Sequence, residues 1–307
     1  MLHHAMKLKF IVMKELLLFL LLLRFLPLTS QVIDDFETGN CERWKQSPSG
    51  RWSCSGENPL DDRYSLKHSF DNSESGTDCI SIGFDDIDLA KPVEWEFDIR
   101  YEYSPSASNN WAVYLVSEKA SDYMNATSNN QSVILGVNQT GSNDLLTLYH
   151  QDGNKVNEVL STSFNWQDLS DNAVFHFDIK YDGEGKWLLY GGVEDTSLIG
   201  TAEFLPPLDY FNFFGLKYAY TSSKDRLLSF DNFSLQGALV IDTIAPVLRS
   251  IDFPTRKSLD LLFSENIYAG DDFQISLAGR PYDSICIDRN RISLYFQEEL
   301  KNRESCL

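Results

Sequence analysis

The chain has 307 residues, with 45 Asp and Glu against 26 Lys and Arg, and a formal net charge of −19 at pH 7. Nucleic acids and anionic membrane surfaces are therefore excluded as principal partners, because binding to either depends on clustered Lys and Arg side chains. Hydrophobic residues make up 43% of the chain, enough to bury a sizeable core.

A lysine-rich segment opens the chain and is followed by the apolar run LLLFLLLL at 16–23. This order is typical of a secretory signal peptide, and we assign residues 1–30 to it, with cleavage after Ser30. The run is too short for a membrane span, which needs about 20 apolar residues. The alternative is that residues 1–30 are not cleaved and anchor the protein in a membrane. We therefore expect an exported protein, extracellular or at the cell surface, with no stable membrane span after cleavage.

Short strand patterns rich in aromatic and β-branched residues then follow one another, with no convincing long amphipathic helix. They are RWSCS (51–55), YSLKHSF (64–70), CISIGF (79–84), VEWEFDIRYEY (93–103), WAVYLVS (111–117), SVILGV (132–137), LLTLYHQ (145–151), AVFHFDIKYD (173–182), KWLLYGG (186–192), NFFGLKYAY (212–220) and LLSFDNFSL (227–235). Turn-forming clusters such as SPSASNN and DGEG separate them. Many short strands with regular turns predict an all-β jelly-roll sandwich over residues 31–236.

A second set of strands begins after Pro246, and residues 237–245 read as a linker. The patterns are VLRSIDF, SLDLLFS, FQISL, SICID and RISLYF. Their spacing predicts an immunoglobulin-like β-sandwich over residues 246–307. Such a domain uses seven or more strands, so we expect this one to be incomplete.

Five cysteines, none in a C-x-x-C pair, give little support to a zinc ribbon or a thioredoxin-like motif: Cys41, Cys54, Cys79, Cys286 and Cys306. In an exported chain, the three early cysteines favour a disulfide over a metal site. The sequence leaves the pair open among Cys41, Cys54 and Cys79.

The order of several segments resembles a known family. WEFDIRYEYSPSASNNWAVYLVS, LTLYHQDG, DIKYDGEGKWLLYGG, FGLKYAYTSSKDRLLSFDNFSLQG and DTIAPVLRSIDFPTRKSLDLLFSENI together are similar to the N-terminal part of large exported surface proteins of Bacteroidetes. In those proteins a laminin-G/concanavalin-like jelly roll precedes an Ig-like module, often with a lamin-tail domain and a secretion signal behind it. The resemblance implies the same order of domains in this chain and carries no assigned activity. It also implies that the chain is a truncated member of the family.

The acids of the segment EWEFDIRYEY raise the hypothesis that the chain is a glycoside hydrolase. Laminarinase-type enzymes share the concanavalin-like fold and carry E-x-D-x-x-E or E-x-D-x-E. Glu96 and Asp98 match the first two acids, but Tyr101 or Arg100 occupies the position of the last one. Glu102 lies roughly 20 Å from Glu96 along an extended strand, whereas retaining chemistry needs carboxyl groups about 5–5.5 Å apart. We therefore expect no catalytic residues.

The same segment fits a strand with one buried and one wet face. Its odd positions from Val93 to Tyr103 are apolar or aromatic, and its even positions are charged. This places Asp98 and Arg100 on the wet face, where an exposed ion pair is possible. The three histidines of the mature chain, His68, His150 and His176, show no triad spacing and are read as strand residues.

Calcium is the candidate cofactor. Jelly rolls of this kind often tie their first and last strands with Ca²⁺, and acids occur near both ends of the first domain: Asp34, Asp35, Glu37 and Asp231. Hard cations take several oxygen ligands, so these four could form a metal site. Capping of turns and strand ends is the alternative, and DDID at 85–88 is a second candidate.

Two tryptophans are candidate ligand-binding residues, because sugar-binding sandwiches stack rings on exposed aromatic side chains. Trp111 follows a polar loop and Trp166 lies in FNWQD, so either could sit at a sheet rim. Trp44, Trp52 and Trp187 read as core residues.

The sequence thus predicts a non-catalytic exported binding or adhesion module whose partner is a glycan or a surface protein. A structural spacer that displays another domain is the first alternative, and a divergent glycoside hydrolase is the second.

Overall fold

A computed structural model of the protein describes residues 29–125, 127–240, 246–265, 267, 281–288 and 290–300. The chain forms two compact units, divided between Val240 and Ile241. Most of the predicted signal peptide, residues 1–28, lies outside the described residues, as do 241–245 of the predicted linker. In the described part of the chain, no helix is both long and apolar enough to cross a bilayer.

The described residues of the first unit form fifteen strands and two short 3₁₀ turns. The strands are β1 (Thr29–Asp34), β2 (Trp44–Ser47), β3 (Trp52–Ser55), β4 (Ser65–His68), β5 (Gly76–Asp88), β6 (Val93–Tyr101), β7 (Asn110–Ser117), β8 (Asn130–Val137), β9 (Leu145–Gly153), β10 (Lys155–Asn165), β11 (Phe175–Tyr181), β12 (Lys186–Gly192), β13 (Ser197–Glu203), β14 (Tyr210–Tyr220) and β15 (Leu228–Ala238). The 3₁₀ turns are Ser121–Tyr123 and Trp166–Asp168. The predicted all-β class is confirmed.

These strands form two antiparallel sheets. Sheet A has the order β13-β12-β11-β6-β15-β4-β3, and β1 also pairs with β15. Sheet B has the order β10-β9-β8-β7-β14-β5-β2. β5 and β7 lie in sheet B, whereas β6 between them lies in sheet A. Likewise β14 lies in sheet B and β15 in sheet A. Strands distant in sequence therefore become neighbours. This is a jelly-roll sandwich, as predicted.

Aromatic rings from both sheets fill the space between them. Trp44, Trp52 and Trp187, predicted to be core residues, are 2%, 3% and 0% exposed. The centroids of Phe214 in sheet B and Phe233 in sheet A lie 4.2 Å apart in a stacked pair. Because aromatic side chains bury large areas each, this layer holds the two sheets face to face.

Strand β15 extends further than expected. Gly237 and Ala238, predicted to open the linker, pair with Ser30 and Thr29 of β1. The ladder with β1 supplies backbone partners that a linker would leave to solvent. Two residues assigned to the signal peptide therefore belong to a strand of sheet A.

The second unit is a four-stranded antiparallel sheet in the order β16-β17-β19-β18. Its strands are β16 (Leu248–Thr255), β17 (Ser258–Phe263), β18 (Ser284–Asp288) and β19 (Arg291–Tyr295). Its core cluster is Leu259, Leu261, Ile292, Leu294 and Phe296. The predicted strand FQISL, residues 273–277, lies outside the described residues. The Ig-like class of this unit stays a prediction.

The alternation predicted for β6 is wrong at two positions. Asp98 and Arg100 are 7% and 4% exposed, not on a wet face. Neighbouring strands cover Asp98 with His176 and Asn232, both of which hydrogen bond to it. Arg100 forms an ion pair with Glu102 at 2.9 Å instead of with Asp98. Residues from adjacent strands and loops thus bury charges that the strand pattern alone assigns to solvent.

Candidate ligand-binding cleft

A polar cleft of about 430 Å³ opens on the face of sheet B that points away from the main core. Alternation along β14 sets this face, because Leu216 and Tyr218 point into the core and Lys217 between them points outward. We call it the lysine cleft. Its lining residues are Ser47, Pro48, Thr77, Cys79, Ser121, Asp122, Asn125, Thr127 and Lys217.

The loop between β7 and β8 forms one wall of the lysine cleft. The Ser121 backbone N–H donates to Ser81 Oγ at 2.9 Å, and the Ser121 hydroxyl donates to the Lys45 carbonyl at 2.9 Å. Met124 lies against Gly215, where an added Cβ would come within 2.5 Å of the Met124 sulfur. Glycine at that position therefore lets the loop lie flat on the sheet.

Lys217 is one of the residues that line the cleft, and it is only 8% exposed. Its ammonium donates to Gln139 Oε1. In the part of the chain that the structure describes, it forms no ion pair with a carboxylate. Burial lowers the pKa of Lys217 to about 8, from an ordinary value of 10.5. The fold therefore carries a buried cation that is charged at neutral pH and lacks a counter-ion.

Gln139 is held so that its oxygen faces the lysine. Its amide nitrogen donates to the carbonyls of Val137 at 2.7 Å and Trp111 at 3.0 Å, and to Asn110 Oδ1 at 3.1 Å. With the nitrogen occupied in this way, the side-chain oxygen is fixed as an acceptor for Lys217. The position of the ammonium is therefore set by the scaffold.

Cys79, the cross-strand partner of Lys217, contributes no nucleophile. Its thiol donates to the Met124 carbonyl at 3.1 Å. Burial raises the pKa of Cys79 to about 12, so it stays a neutral thiol at physiological pH.

Asp122 and Asn125 supply polar groups at the rim. Asp122 pairs with Lys45, and this hydrogen bond lowers the pKa of Asp122. Asn125 Oδ1 accepts from the Thr127 hydroxyl at 2.8 Å. Asp122 is the only acid among the residues that line the cleft, so the cleft lacks the carboxyl pair of a glycosidase. Its lining combines Lys217 with hydroxyl and amide side chains.

The two tryptophans predicted to bind ligand are not exposed. Trp111 and Trp166 are 1% and 3% exposed, and their ring centroids lie 4.7 Å apart in an edge-to-face pair. Trp166 also stacks on Phe177 of sheet A. The prediction that they sit at a sheet rim is wrong, because the loop carrying Trp166 folds over the end of the sandwich and closes its core.

The four acids predicted to bind calcium have other partners. Asp34 accepts from the Trp44 indole N–H at 2.9 Å, and Asp35 accepts from the Glu37 backbone N–H at 3.1 Å. Glu37 caps the backbone N–H groups of the Arg63–Tyr64 turn. Asp231 accepts from the Ser65 hydroxyl at 2.7 Å, and burial raises its pKa to about 6. The predicted convergence on one ion is wrong. The capping alternative describes Asp34, Asp35 and Glu37, whereas Asp231 lies inside β15. Asp88 of DDID likewise caps the Ala90 N–H.

An acidic cluster is present elsewhere, on the face of sheet A that points away from the core. Among the described residues, the one group of three or more potential metal ligands is Glu94, Glu96 and Asp178, with ligand atoms within 4.8 Å of one another. The Lys180 ammonium bonds to Glu94 and lies 3.3 Å from Asp178. The hydrogen bond to Glu94 raises the pKa of Lys180, so a protonated lysine already occupies the place of a cation.

Removing that lysine is expected to create calcium dependence. In Lys180→Ala, three neighbouring carboxylates lose their cation, and Ca²⁺ should raise the melting temperature by binding only the folded state. The wild-type protein, whose lysine fills the cluster, should melt at the same temperature with Ca²⁺ and with chelator. A calcium-dependent shift in the wild type that disappears in Asp231→Ala would instead restore the site predicted from the sequence.

No family model matches the chain, and no curated protein matches it. Among solved structures, the carbohydrate recognition domain of Emp47p is 14% identical, with 69% of this chain and 95% of that domain covered and a TM-score of 0.46. The Ca²⁺/Man-bound exoplasmic/lumenal domain of VIP36 is 11% identical, with 70% and 92% covered and a TM-score of 0.45. Metal-free lectin I-B4 from Griffonia simplicifolia is 10% identical, with 67% and 98% covered and a TM-score of 0.49.

The sequence offered no signal for the lysine cleft. Lys217 lies in NFFGLKYAY, where a lysine at an outward-facing position is read as an ordinary solvated side chain. In the fold its ammonium meets Gln139 of the loop between β8 and β9, and residues of the loop between β7 and β8, about 90 residues earlier in the chain, line the same cleft.

Proposed function

We propose that the protein is an exported, non-catalytic glycan-binding module, and that its ligand is an acidic glycan bound in the lysine cleft. The observation that carries the proposal is the buried ammonium of Lys217, which donates to Gln139 and has no carboxylate partner among the described residues. Burying a charge without a counter-ion destabilises a fold, so such groups are concentrated at functional sites. A carboxylate or sulfate on a sugar would supply the missing counter-ion.

The surrounding groups suit the rest of a sugar. Thr77, Ser47 and Thr127 carry hydroxyls that both donate and accept, and Asp122 accepts from ligand hydroxyl groups. Lys45 pairs with Asp122 and offsets its negative charge, so Lys217 leaves the lining with a net positive charge. The site is therefore locally cationic within a chain of net charge −19, which favours acidic over neutral glycans there. Export and membership of the Bacteroidetes surface-protein family belong to the same proposal and rest on the sequence.

A glycan array containing neutral, uronate-bearing and sulfated oligosaccharides tests this function. The wild-type chain from residue 29 should bind acidic glycans saturably and neutral ones weakly. Lys186→Met, which removes an exposed lysine of β12 in sheet A, should bind as the wild type does. Silence of the wild type across the whole array would favour the structural spacer.

Hydrolysis of β-glucans is not expected. Glu96 lies on the outward face of sheet A, and both acids near it contact the Lys180 ammonium. No general acid and nucleophile therefore face one another across a cleft there. Laminarin and xylan should release no reducing sugar, and Glu96→Gln should leave glycan binding unchanged. Sugar release by the wild type that is lost in Glu96→Gln would overturn this assignment.

A further inference from the structure

We propose that Cys41 and Cys54 are a disulfide-forming pair that links the free edges of the two sheets. Both are thiols in this structure. Cys41 and Cys54 each interact most strongly with the other, and both side chains pack against the main core. Of the three early cysteines, between which the sequence does not choose, the geometry selects these two.

The surrounding fold holds both residues in place. Cys54 lies on β3, the last strand of sheet A, where it pairs with Leu66. Cys41 lies in the turn before β2, the last strand of sheet B, and its carbonyl accepts from the Trp44 N–H at 3.0 Å. The turn is fixed further because the Trp44 indole donates to Asp34 at 2.9 Å. A bond between the sulfurs would therefore join the two sheets where each ends.

Cys79 is excluded as a partner by the face it occupies. Cys41 and Cys54 pack against the main core between the sheets. Cys79 belongs to a separate cluster with Tyr114 and Met124, on the other side of sheet B. A disulfide to Cys79 would have to pass through the sheet.

A metal site is not supported at this pair. Two sulfurs need further ligands, and Asp34 and Asp231 are the charged neighbours. Among the described residues, however, the only group of three or more ligand atoms within 4.8 Å is Glu94, Glu96 and Asp178. We therefore assign disulfide formation, and not metal binding, to this pair.

Cys41 is the residue that reacts first. Hydrogen bonds from Cys54 lower the pKa of Cys41, and the same contact raises the pKa of Cys54. The Cys41 thiolate attacks one sulfur of a small-molecule disulfide such as oxidised glutathione and releases one glutathione thiol. Cys54 then loses its proton and attacks the Cys41 sulfur of the mixed disulfide, which releases the second glutathione. Two protein thiols and one oxidised glutathione thus give one protein disulfide and two glutathione thiols.

Peptide mapping after exposure to oxidised glutathione tests the pairing. The full chain is oxidised, its remaining thiols are alkylated under denaturing conditions, and it is digested without reductant. We expect a peptide in which Cys41 is linked to Cys54, while Cys79 carries the alkyl group. Cys79→Ser, the matched control, should give the same linked peptide. Alkylation of both Cys41 and Cys54, or a link from either to Cys79, would overturn the proposal.

A melting experiment gives a second readout that does not depend on digestion. Oxidation should raise the melting temperature of the wild type and of Cys79→Ser by about 6–12 °C, because the bond closes a loop of roughly 15 residues in the unfolded chain. The double variant Cys41→Ser/Cys54→Ser should show no change on oxidation. An equal shift in the double variant would contradict the pairing. Glycan binding enters neither experiment, so the outcome is independent of the proposed function.

Discussion

Lys217→Met is expected to abolish measurable binding of acidic glycans while raising the melting temperature at pH 7. The loss of a buried ammonium that pairs with an anionic ligand should weaken binding by at least about 30-fold, which corresponds to about 2 kcal/mol. The methionine fills a similar volume, so the walls of the lysine cleft should keep their shape. Isothermal titration with an acidic glycan from the array measures the affinity, and Lys186→Met is the control.

The same variant should be more stable because burial of Lys217 opposes folding. A pKa that falls from 10.5 to about 8 corresponds to a destabilisation of about 3 kcal/mol at neutral pH. Loss of the hydrogen bond to Gln139 offsets about 1–2 kcal/mol of the gain. The net rise in melting temperature should then be a few degrees. A variant that is less stable and binds as tightly as the wild type would contradict both parts.

The dependence on pH follows from the same pKa. Between about 8 and 10.5 the unfolded chain holds a proton on Lys217 that the folded chain has lost. The wild type is therefore less stable than Lys217→Met below about pH 8, and this difference in stability shrinks as the pH rises through the window. Binding should change in the opposite direction, since deprotonation removes the cation. Melting curves and titrations at pH 7, 8.5 and 10 measure the two trends.

Asp78→Ala is expected to be the most destabilising single substitution of a charged residue in the first unit. Asp78 is 2% exposed, and its Oδ2 accepts from the Tyr220 hydroxyl at 2.5 Å and contacts His68 Nε2 at 2.8 Å. Arg51 Nε lies 3.7 Å from the same oxygen. Removing the carboxylate leaves these buried groups without their shared acceptor, at a cost of about 3–5 kcal/mol. The melting temperature should fall by roughly 6–20 °C.

The destabilisation caused by Asp78→Ala should become smaller at low pH. Burial by itself would raise the pKa of Asp78, but the hydrogen bonds from His68 and Tyr220 outweigh it and leave the pKa below its ordinary 3.8. The carboxylate therefore stabilises the fold fully above about pH 4, and this contribution is lost as the pH falls through the folded-state pKa. Asp85→Ala, at an exposed position of the same strand, is the control and should melt near the wild type. Equal melting of Asp78→Ala and Asp85→Ala would contradict the role of the network.

The central strands could be predicted from the sequence, and several edge strands could not. β6, β7 and β14 bury continuous or alternating apolar residues, and this pattern is visible in the sequence. β10 and β13 are edge strands that each bury only one residue, Thr162 and Ala202. Their strand character comes from backbone pairing with β9 and β12, for which the side-chain pattern carries little information.

The candidate site was harder to predict than the fold for a related reason. Exposure at an outward-facing position of a sheet depends on whether a distant loop covers it. Lys217 bonds to Gln139 of the loop between β8 and β9, and the loop between β7 and β8 lines the same cleft. Trp111 faces the core instead, where Trp166 and Phe177 pack against it. A period-two pattern assigns each residue to a face of its sheet, and it does not show what lies on that face. Asp34 and Asp35 lie at the end of β1 and in the turn after it, whereas Asp231 is buried inside β15. Backbone N–H groups and side-chain donors occupy these acids.

Residue-resolved NMR titration tests the location of the ligand most directly. Amide spectra of the chain from residue 29 are recorded with increasing amounts of an acidic glycan from the array. We expect saturable shifts at Asp122, Asn125, Thr127 and Lys217, with none at Glu94, Glu96 and Asp178 on the opposite sheet. Shifts confined to the acidic cluster, or to residues outside the lysine cleft, would contradict it.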